Sequence, residues 1–223
     1  MVISIKRIKA VKMKILTIFI LLFQTVNLSA QQHLDKDMEL YSLGLKYLDS
    51  TKYDMAILNF SKAIALNSGN TIYFYKRGQT YYVSGNYVLA ISDFEHCANV
   101  IPDEAEYHYL VGICNEKQNK LDTALVNYNN AININPSEIR YFKCRASLYY
   151  KMKDYLKSIA DYNQILELNP KDGTAFFYRG VSKYKLNDKE SACEDWNNAL
   201  INSYAKAAEY INKICAKDVK TEK

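Results

Sequence analysis

Residues 71–104 read TIYFYKRGQTYYVSGNYVLAISDFEHCANVIPDE, and the pattern of this segment occurs five times in succession without an insertion. The five copies are residues 37–70, 71–104, 105–138, 139–172 and 173–206. A fixed period of this length is typical of proteins built from stacked supersecondary units. The sequence therefore predicts a repeat architecture for most of the chain.

Each copy contains two apolar patterns of helical period. In residues 71–104 the first pattern runs from Tyr73 to Val83 and the second from Tyr87 to Val100. Gly85 stands between them and suits the residue after a helix end, where a left-handed conformation favours glycine. Pro102 ends the second helix because it has no N–H to donate. Two helices joined by so short a turn lie antiparallel, so each copy predicts a helical hairpin.

Three places in each copy hold small side chains, and a fourth is always aromatic. The small residues are Gly44, Gly78, Gly112, Ala146 and Gly180 at the eighth place, Ala56, Ala90, Ala124, Ser158 and Ala192 at the twentieth, and Ala63, Cys97, Ala131 and Ala199 at the twenty-seventh. Ile165 is the one larger residue at these places. The aromatic residues at the twenty-fourth place are Phe60, Phe94, Tyr128, Tyr162 and Trp196. Small residues let two helices approach closely, and the ring fills the space that remains.

This pattern resembles the tetratricopeptide repeat, whose signature of Leu-Gly, Tyr, Ala, Phe and Pro recurs every 34 residues. The first copy carries it as Leu43-Gly44, Tyr47, Ala56 and Phe60, with Ser68 in the place of the proline. The resemblance implies an all-α fold, a right-handed α-solenoid of five antiparallel helix hairpins over residues 37–206. We expect a C-terminal capping helix over residues 207–217 and a frayed tail over residues 218–223.

The first thirty residues have a different composition. Residues 1–30 contain five basic side chains and no acidic one, and the apolar run Ile15–Phe23 is followed by small residues up to Ala30. This order is typical of a secretory signal peptide. The apolar run is too short for a membrane-spanning helix, which needs about 20 residues. We therefore expect an exported protein, periplasmic or secreted, with residues 31–36 as a short flexible segment. An uncleaved leader that anchors the chain is an alternative, and Met13 is an alternative start.

Removal of that leader changes the charge balance. The full chain has 29 Lys and Arg residues against 24 Asp and Glu residues, and the leader holds five of the basic ones. The mature chain is then formally neutral. It lacks the excess of positive charge that nucleic-acid binding requires, so we expect no nucleic acid as a partner.

The chain has five cysteines, and an odd number leaves at least one thiol free in an oxidising compartment. A turn near Ser203 would fold the helix of residues 187–200 back on the cap and bring Cys193 level with Cys215. We expect a disulfide between these two residues if the rotation of both helices points the Cβ atoms inward. Cys97, at a small-residue place, is interpreted as a buried packing thiol.

Catalytic and cofactor-binding patterns are absent from the sequence. It has three histidines, and no Gly-rich phosphate loop, His-Glu-x-x-His or Cys-x-x-Cys motif. The spacing of His96, Cys97, His108 and Cys114 matches no closed zinc site. The carboxylates Asp93, Glu95, Asp103 and Glu104 are interpreted as a solvated surface. We therefore predict a protein that is not an enzyme and that holds no metal or cofactor.

The resemblance implies that the first helices of the repeats line a concave groove in which a peptide binds. The lining places are the second, fifth, sixth, ninth, twelfth and thirteenth of each repeat. Seven of the ten residues at the fifth and twelfth places are aromatic, and cations lie between them. The residues predicted to contact a partner are Tyr41, Tyr75, Lys76, Tyr82, Tyr109, Arg140, Lys143, Tyr150, Phe177 and Tyr184. Exposed rings beside cations can hold an extended chain. The alternative is that a chain with 20 tyrosines uses most of them in helix packing.

A known specialisation of the family can be compared residue by residue. The carboxylate clamp of chaperone-binding members needs Lys and Asn at the fifth and ninth places of one repeat, where this chain has Tyr41 and Leu45. A chaperone tail is therefore not the expected ligand. We predict a non-catalytic scaffold in the cell envelope that binds a protein or peptide of some acidic character. The alternative is a self-assembling structural envelope component without a separate peptide ligand.

Overall fold

A computed structural model of the chain describes residues 19, 22–24 and 36–216. The expected leader, the segment 31–36 and the tail 218–223 lie outside the described residues, apart from residues 19, 22–24 and 36. In the described ranges, no helix is both long and apolar enough to cross a membrane. The same ranges contain no β-strand, and they belong to two compact units that divide after Gly85.

Three helices lie in residues 36–85, the continuous described part of the first unit. The described part of α1 covers residues 36–49, and it is followed by α2 (Tyr53–Leu66) and α3 (Thr71–Val83). Phe60 of α2 is fully buried, and its ring lies so close to Gly44 that a Cβ on Gly44 would stand 2.5 Å from it. Glycine at the eighth place thus allows the aromatic ring of the twenty-fourth place to lie against the backbone of the preceding helix.

In its described part, the second unit contains seven helices of 13 or 14 residues and one helix of four residues, which lies in the C-terminal segment, residues 202–216. They are α4 (Tyr87–Val100), α5 (Ala105–Lys117), α6 (Leu121–Ile134), α7 (Ile139–Lys151), α8 (Tyr155–Leu168), α9 (Gly173–Lys185), α10 (Lys189–Ile201) and α11 (Ala207–Tyr210). A single π-helical turn, Ile211–Cys215, follows α11 directly. The segment in which we expect the cap, residues 207–217, therefore consists of these two short elements up to residue 215, and residue 217 lies outside the described chain.

Helices in this unit pack with their neighbours in chain order. Helix α5 packs on α6, α7 on α8 and α9 on α10, while α4, α6 and α8 each contact the helix that follows. Helices α4, α6 and α8 end two residues before Pro102, Pro136 and Pro170. Consecutive hairpins that contact only their neighbours form an α-solenoid, so the prediction of an all-α solenoid is confirmed.

The turn inside each hairpin has one residue in the left-handed region. These residues are Thr51, Gly85, Asn119, Lys153 and Asn187, with φ between 57° and 85°. Only Gly85 is free of the steric cost of this conformation, which is roughly 1–2 kcal/mol for other residues and smaller for asparagine. The turn geometry is therefore kept even where the sequence does not favour it.

Two repeats contain a partly buried ion pair. The Arg145 guanidinium donates to both carboxylate oxygens of Asp161 at 3.0 and 2.7 Å, and to Asn129 Oδ1 at 2.7 Å. It thereby joins α6, α7 and α8. Arg179 makes the same contacts one repeat later, with Asp195 and Asn163. Burial raises the pKa of Asp161, and the hydrogen bonds from Arg145 oppose that shift.

The expectation that the carboxylates form a solvated surface is wrong for one of the four residues. Asp93 is 4% exposed, whereas Glu95, Asp103 and Glu104 are exposed. Asp93 occupies the same place in its repeat as Asp161 and Asp195, which are also buried. A carboxylate at this twenty-third place faces the interior of the hairpin stack and not solvent.

The C-terminal segment covers the last hairpin. Cys193 of α10 and Cys215 form a disulfide with a Cα–Cα distance of 5.8 Å. Trp196 is fully buried, and its Nε1 donates a hydrogen bond to the carbonyl oxygen of Phe177 at 3.3 Å. A disulfide that encloses a loop of this length stabilises by roughly 3 kcal/mol, largely by restricting the unfolded chain. The bridge therefore joins the C-terminal segment covalently to α10 of the last hairpin.

Candidate functional site

Four of the predicted partner-binding residues belong to the first unit. Tyr41 is half-buried, and its ring centroid lies 5.8 Å from that of Phe60 and 5.2 Å from that of Tyr73. Tyr75 and Tyr82 are half-buried, and the Lys76 Nζ lies 5.4 Å from the Tyr75 ring centroid. Lys76 also donates a hydrogen bond to Gln79 at 3.1 Å. Tyr41 thus serves the packing of its unit, while Tyr75 and Lys76 form a small cation–π pair on α3.

Tyr109 is a packing residue of the second unit. Its ring centroid lies 4.9 Å from that of Tyr141 and 6.2 Å from that of Tyr128, and the Cys144 thiol donates to its hydroxyl at 3.7 Å. Burial raises the pKa of the Tyr109 hydroxyl. The ring is therefore held between α5, α6 and α7, and little of it is available for a partner.

Arg140 stands over this aromatic cluster and is already neutralised. Its guanidinium lies 5.4 Å from the Tyr109 ring centroid and forms ion pairs with Glu106 and Glu138, each at 3.2 Å. Its hydrogen bonds lower the pKa of Glu138. Because two carboxylates share the one cation, this part of the inner surface carries no excess positive charge.

A pocket of about 460 Å³ opens one repeat further along, and it brings together three predicted residues, Lys143, Tyr150 and Phe177. Its lining residues come from α7, α9 and the C-terminal segment, which supplies Lys206 and Tyr210. Helix α8 contributes Tyr162. The other lining residues are Ser147, Thr174, Tyr178, Val181 and Ser182. The lining is mainly aromatic and hydroxyl-bearing, a composition that suits a ligand with apolar and polar parts.

The prediction that Phe177 is an exposed groove residue needs correction. Phe177 is 1% exposed, because the rings of Tyr204 and Tyr210 pack on it with centroid distances of 4.8 and 4.9 Å. The Lys206 Nζ also lies 5.7 Å from its ring centroid. Phe177 thus belongs to the floor of the pocket. Tyr184, by contrast, is 40% exposed on α9 and does not line the pocket.

The two cations of the pocket differ in their surroundings. Lys143 forms an ion pair of 2.7 Å with Asp172, the N-cap residue of α9. Lys206 is exposed, and within residues 36–216 no ion pair joins it to a carboxylate. None of the described lining residues is Asp or Glu. Lys206 is therefore the cation of this pocket that is open to a ligand.

The free thiols are poor candidates for nucleophiles or metal ligands. Burial raises the pKa of Cys97 and of Cys114 to about 12, and it also raises the pKa of Cys144. A thiol that stays protonated at neutral pH reacts slowly and binds metals weakly. Over the described residues, no group of three or more His, Cys, Asp or Glu side chains is arranged to hold a metal ion.

Several pocket residues are not among the ten residues predicted to contact a partner. Thr174, Tyr178, Ser147 and Val181 occupy the second, sixth and ninth places of their repeats, which are among the predicted lining places, although the four residues are not among the ten predicted to contact a partner. Lys206 and Tyr210 follow the last inner helix, and no groove position of the repeat indicates them. Their contribution depends on how the C-terminal segment folds back.

The sequence of residues 139–172 matches the family model described as tetratricopeptide repeat. No curated protein matches the chain at a significant level.

Solved structures with the same fold are numerous. A crystal structure of the MamA protein has 21% sequence identity and a TM-score of 0.71, and the match covers 78% of this chain and 95% of MamA. YrrB, described as "a TPR protein with an unusual peptide-binding site", has 16% identity and a TM-score of 0.68 over 83% of this chain and 97% of YrrB. TTC0263 from Thermus thermophilus has 17% identity and a TM-score of 0.54 over 77% of this chain and 98% of its own. These similarities establish the fold.

Proposed function

Because the chain is a tetratricopeptide-repeat protein, we propose that it is a non-catalytic scaffold that binds a protein or peptide partner. The observation that carries this proposal is the pocket between α7, α9 and the C-terminal segment, with its aromatic walls and its unneutralised lysine. Pockets of a few hundred cubic ångströms with mixed apolar and polar walls are the usual form of a binding site. The peptide-binding site named for YrrB is consistent with such a role on this fold.

The proposal is tested by site-specific crosslinking in the native cells. A photoactivatable residue is placed at Tyr150, which lines the pocket, and as a control at Val126, which is 57% exposed on α6 and does not line it. We expect a defined heterologous protein to be crosslinked from position 150 only. The product should disappear when Tyr178→Ala is added. Identical products from positions 150 and 126 would refute binding at this pocket.

Export to the periplasm or the cell exterior is part of the same proposal. It is supported by the basic, apolar and small-residue order of residues 1–30. The disulfide between Cys193 and Cys215 is compatible with an oxidising compartment. Intact-mass measurement of the chain isolated from native cells tests it, because cleavage after Ala30 would remove the mass of residues 1–30. A full-length chain in the cytoplasmic fraction would contradict export.

A second candidate is self-assembly into an envelope structure. The observation in its favour is the set of exposed apolar side chains on second helices, among them Val88, Leu156 and Ile201, which are 66%, 69% and 78% exposed. Exposed apolar side chains that form a patch often mark interfaces. Sedimentation over a concentration series distinguishes the two: a monomer at all concentrations favours the scaffold, and growing oligomers that Leu156→Glu dissolves favour assembly.

A further inference from the structure

The C-terminal segment is a structural part of the pocket and not merely a cover for the last hairpin. Lys206 and Tyr210 both line the pocket, although they lie beyond the last repeat helix. The Tyr210 ring centroid is 4.9 Å from that of Phe177 and 5.1 Å from that of Trp196. The disulfide from Cys215 to Cys193 fixes the end of the segment on α10. The segment is thus attached to the repeat helices through Tyr210 and the disulfide, and the Lys206 Nζ lies 5.7 Å from the ring centroid of Phe177 at the pocket floor.

The charge of the pocket selects the sign of its ligand. Its described lining contains two lysines and no carboxylate, and Asp172 already neutralises Lys143. The ammonium group of Lys206 remains, with the face of the Phe177 ring below it. A ligand carboxylate beside Lys206 would supply the missing counter-charge, whereas a ligand cation would meet a like charge.

The apolar part of the pocket selects the rest of the ligand. Tyr150, Tyr178 and Tyr210 offer ring faces and edges around a volume of about 460 Å³, which is large enough for one or two side chains. Their hydroxyl groups and that of Ser147 can donate hydrogen bonds to the oxygen atoms of a peptide backbone or carboxylate. An apolar side chain and a neighbouring carboxylate can thus be bound at the same time.

We propose that this pocket binds an acidic protein segment, taking up an apolar side chain of the segment while Lys206 binds an adjacent carboxylate. The inference rests on the proposed scaffold function and names the ligand class and the selecting residue. Lys206 is supplied by the C-terminal segment, so selectivity depends on a part of the chain outside the repeat helices.

The test is a selection from a random 12-residue peptide display library on the purified full chain. Peptides enriched by the chain are synthesised together with counterparts in which every Asp and Glu is replaced by Asn and Gln. Binding of each peptide is then measured to the unmodified chain, to Lys206→Glu and to the matched control Lys213→Glu. Lys213 is exposed in the same segment and does not line the pocket. Circular dichroism verifies that both variants keep the same helical content.

We expect enriched peptides with Asp or Glu next to an apolar residue. Lys206→Glu should weaken their binding about tenfold, because an attraction is replaced by a repulsion, and Lys213→Glu should change it less than about twofold. Enriched peptides without acidic residues, or equal effects of the two variants, would overturn the inference and leave the scaffold function standing. A library from which no peptide is enriched would count against the scaffold function itself.

Discussion

Repeat three (α5–α6) and repeat four (α7–α8) have the same length and the same hairpin, but they differ on both sides of their first helix. On one side, repeat four has Arg145 at the seventh place, paired with Asp161 at the twenty-third. Repeat three has Val111 and Asn127 at these two places. On the inner side, Tyr109 is closed over by Arg140, whereas Tyr150 faces a pocket. Helix geometry is thus set by the small and aromatic places, and the remaining places are free to differ in chemistry.

The largest difference is expected from the ion pair of repeat four. Asp161→Ala leaves the Arg145 guanidinium partly buried without its carboxylate, which should lower the free energy of unfolding by about 3–5 kcal/mol. Asn127→Ala at the equivalent place of repeat three should cost less than about 1 kcal/mol, because Asn127 bonds only within its own helix, to Thr123 O. Urea unfolding followed by circular dichroism measures both. Similar decreases in the free energy of unfolding in the two variants would mean that the ion pair does not stabilise repeat four more than Asn127 stabilises repeat three.

A second contrast lies at the eighth place, which is glycine in repeat three and alanine in repeat four. A Cβ at Gly112 would lie 2.6 Å from the ring of Tyr128, which is fully buried and bonded through its hydroxyl to Glu116 at 3.0 Å. Gly112→Ala should therefore destabilise by about 2 kcal/mol. Helix propensity alone would predict a stabilisation of about 1 kcal/mol. The sign of the change in thermal unfolding decides between close packing and propensity.

The two repeats also hold protons that the unfolded chain releases at high pH. Burial raises the pKa of Cys114 in repeat three from 9.0 to about 12, and the pKa of Tyr141 in repeat four from 10.0 to about 12. Above pH 9 the folded state binds more protons than the unfolded state, so stability is fully present below that pH and falls as pH rises toward 12.

Between pH 9 and 12, the free energy of unfolding should fall less steeply with pH in Cys114→Ala. The difference in slope should be close to that of one proton, which is about 1.4 kcal/mol per pH unit. Urea unfolding at several pH values measures the slope for the variant and the unmodified chain. Parallel pH dependences in the two proteins would exclude Cys114 as a source of the alkaline loss.

The smallest effect concerns the turns inside the two hairpins. Lys153 has φ 63° and Asn119 has φ 60°, both in the left-handed region. Lys153→Gly should stabilise by about 0.5–1 kcal/mol, because glycine removes the steric cost, less the entropy that it adds to the unfolded chain. Asn119→Gly should change the free energy of unfolding by only about 0.3 kcal/mol, since asparagine tolerates this conformation. A larger gain at position 119 than at 153 would contradict the steric explanation.

The repeat period and the small residues were sufficient to predict the hairpins. Gly44, Gly112 and Gly180 indicated close contacts from their spacing alone, and each lies against the aromatic ring of the twenty-fourth place. Such contacts are local, because they join residues 16 positions apart in adjoining helices, and a periodic pattern repeats them five times. The expected pair Cys193 and Cys215 follows from the same reasoning about one turn.

The buried ion pairs were missed although the sequence contains a signal for them. Arg at the seventh place occurs with Asp at the twenty-third in three repeats, as in Arg145 with Asp161 and Arg179 with Asp195, and the other two repeats have neither. The polarity of Asp93 favours a surface position, whereas its place in the repeat is one at which Asp161 and Asp195 are also buried. A charged residue is predicted at the surface by default, because its desolvation is costly unless a partner compensates it.

Amino-acid periodicity alone was enough to determine the hairpins and their order, because each contact repeats between near neighbours in the chain. Only tertiary packing decided which inner residues face solvent. Tyr109 and Phe177 occupy the same place in their repeats, and different neighbours cover them: Arg140 with Tyr141 in one case, Tyr204 with Tyr210 in the other. The pocket beside Lys206 exists because the C-terminal segment, which follows the last repeat helix, folds back onto α9 and α10, a long-range contact that the repeat period does not encode.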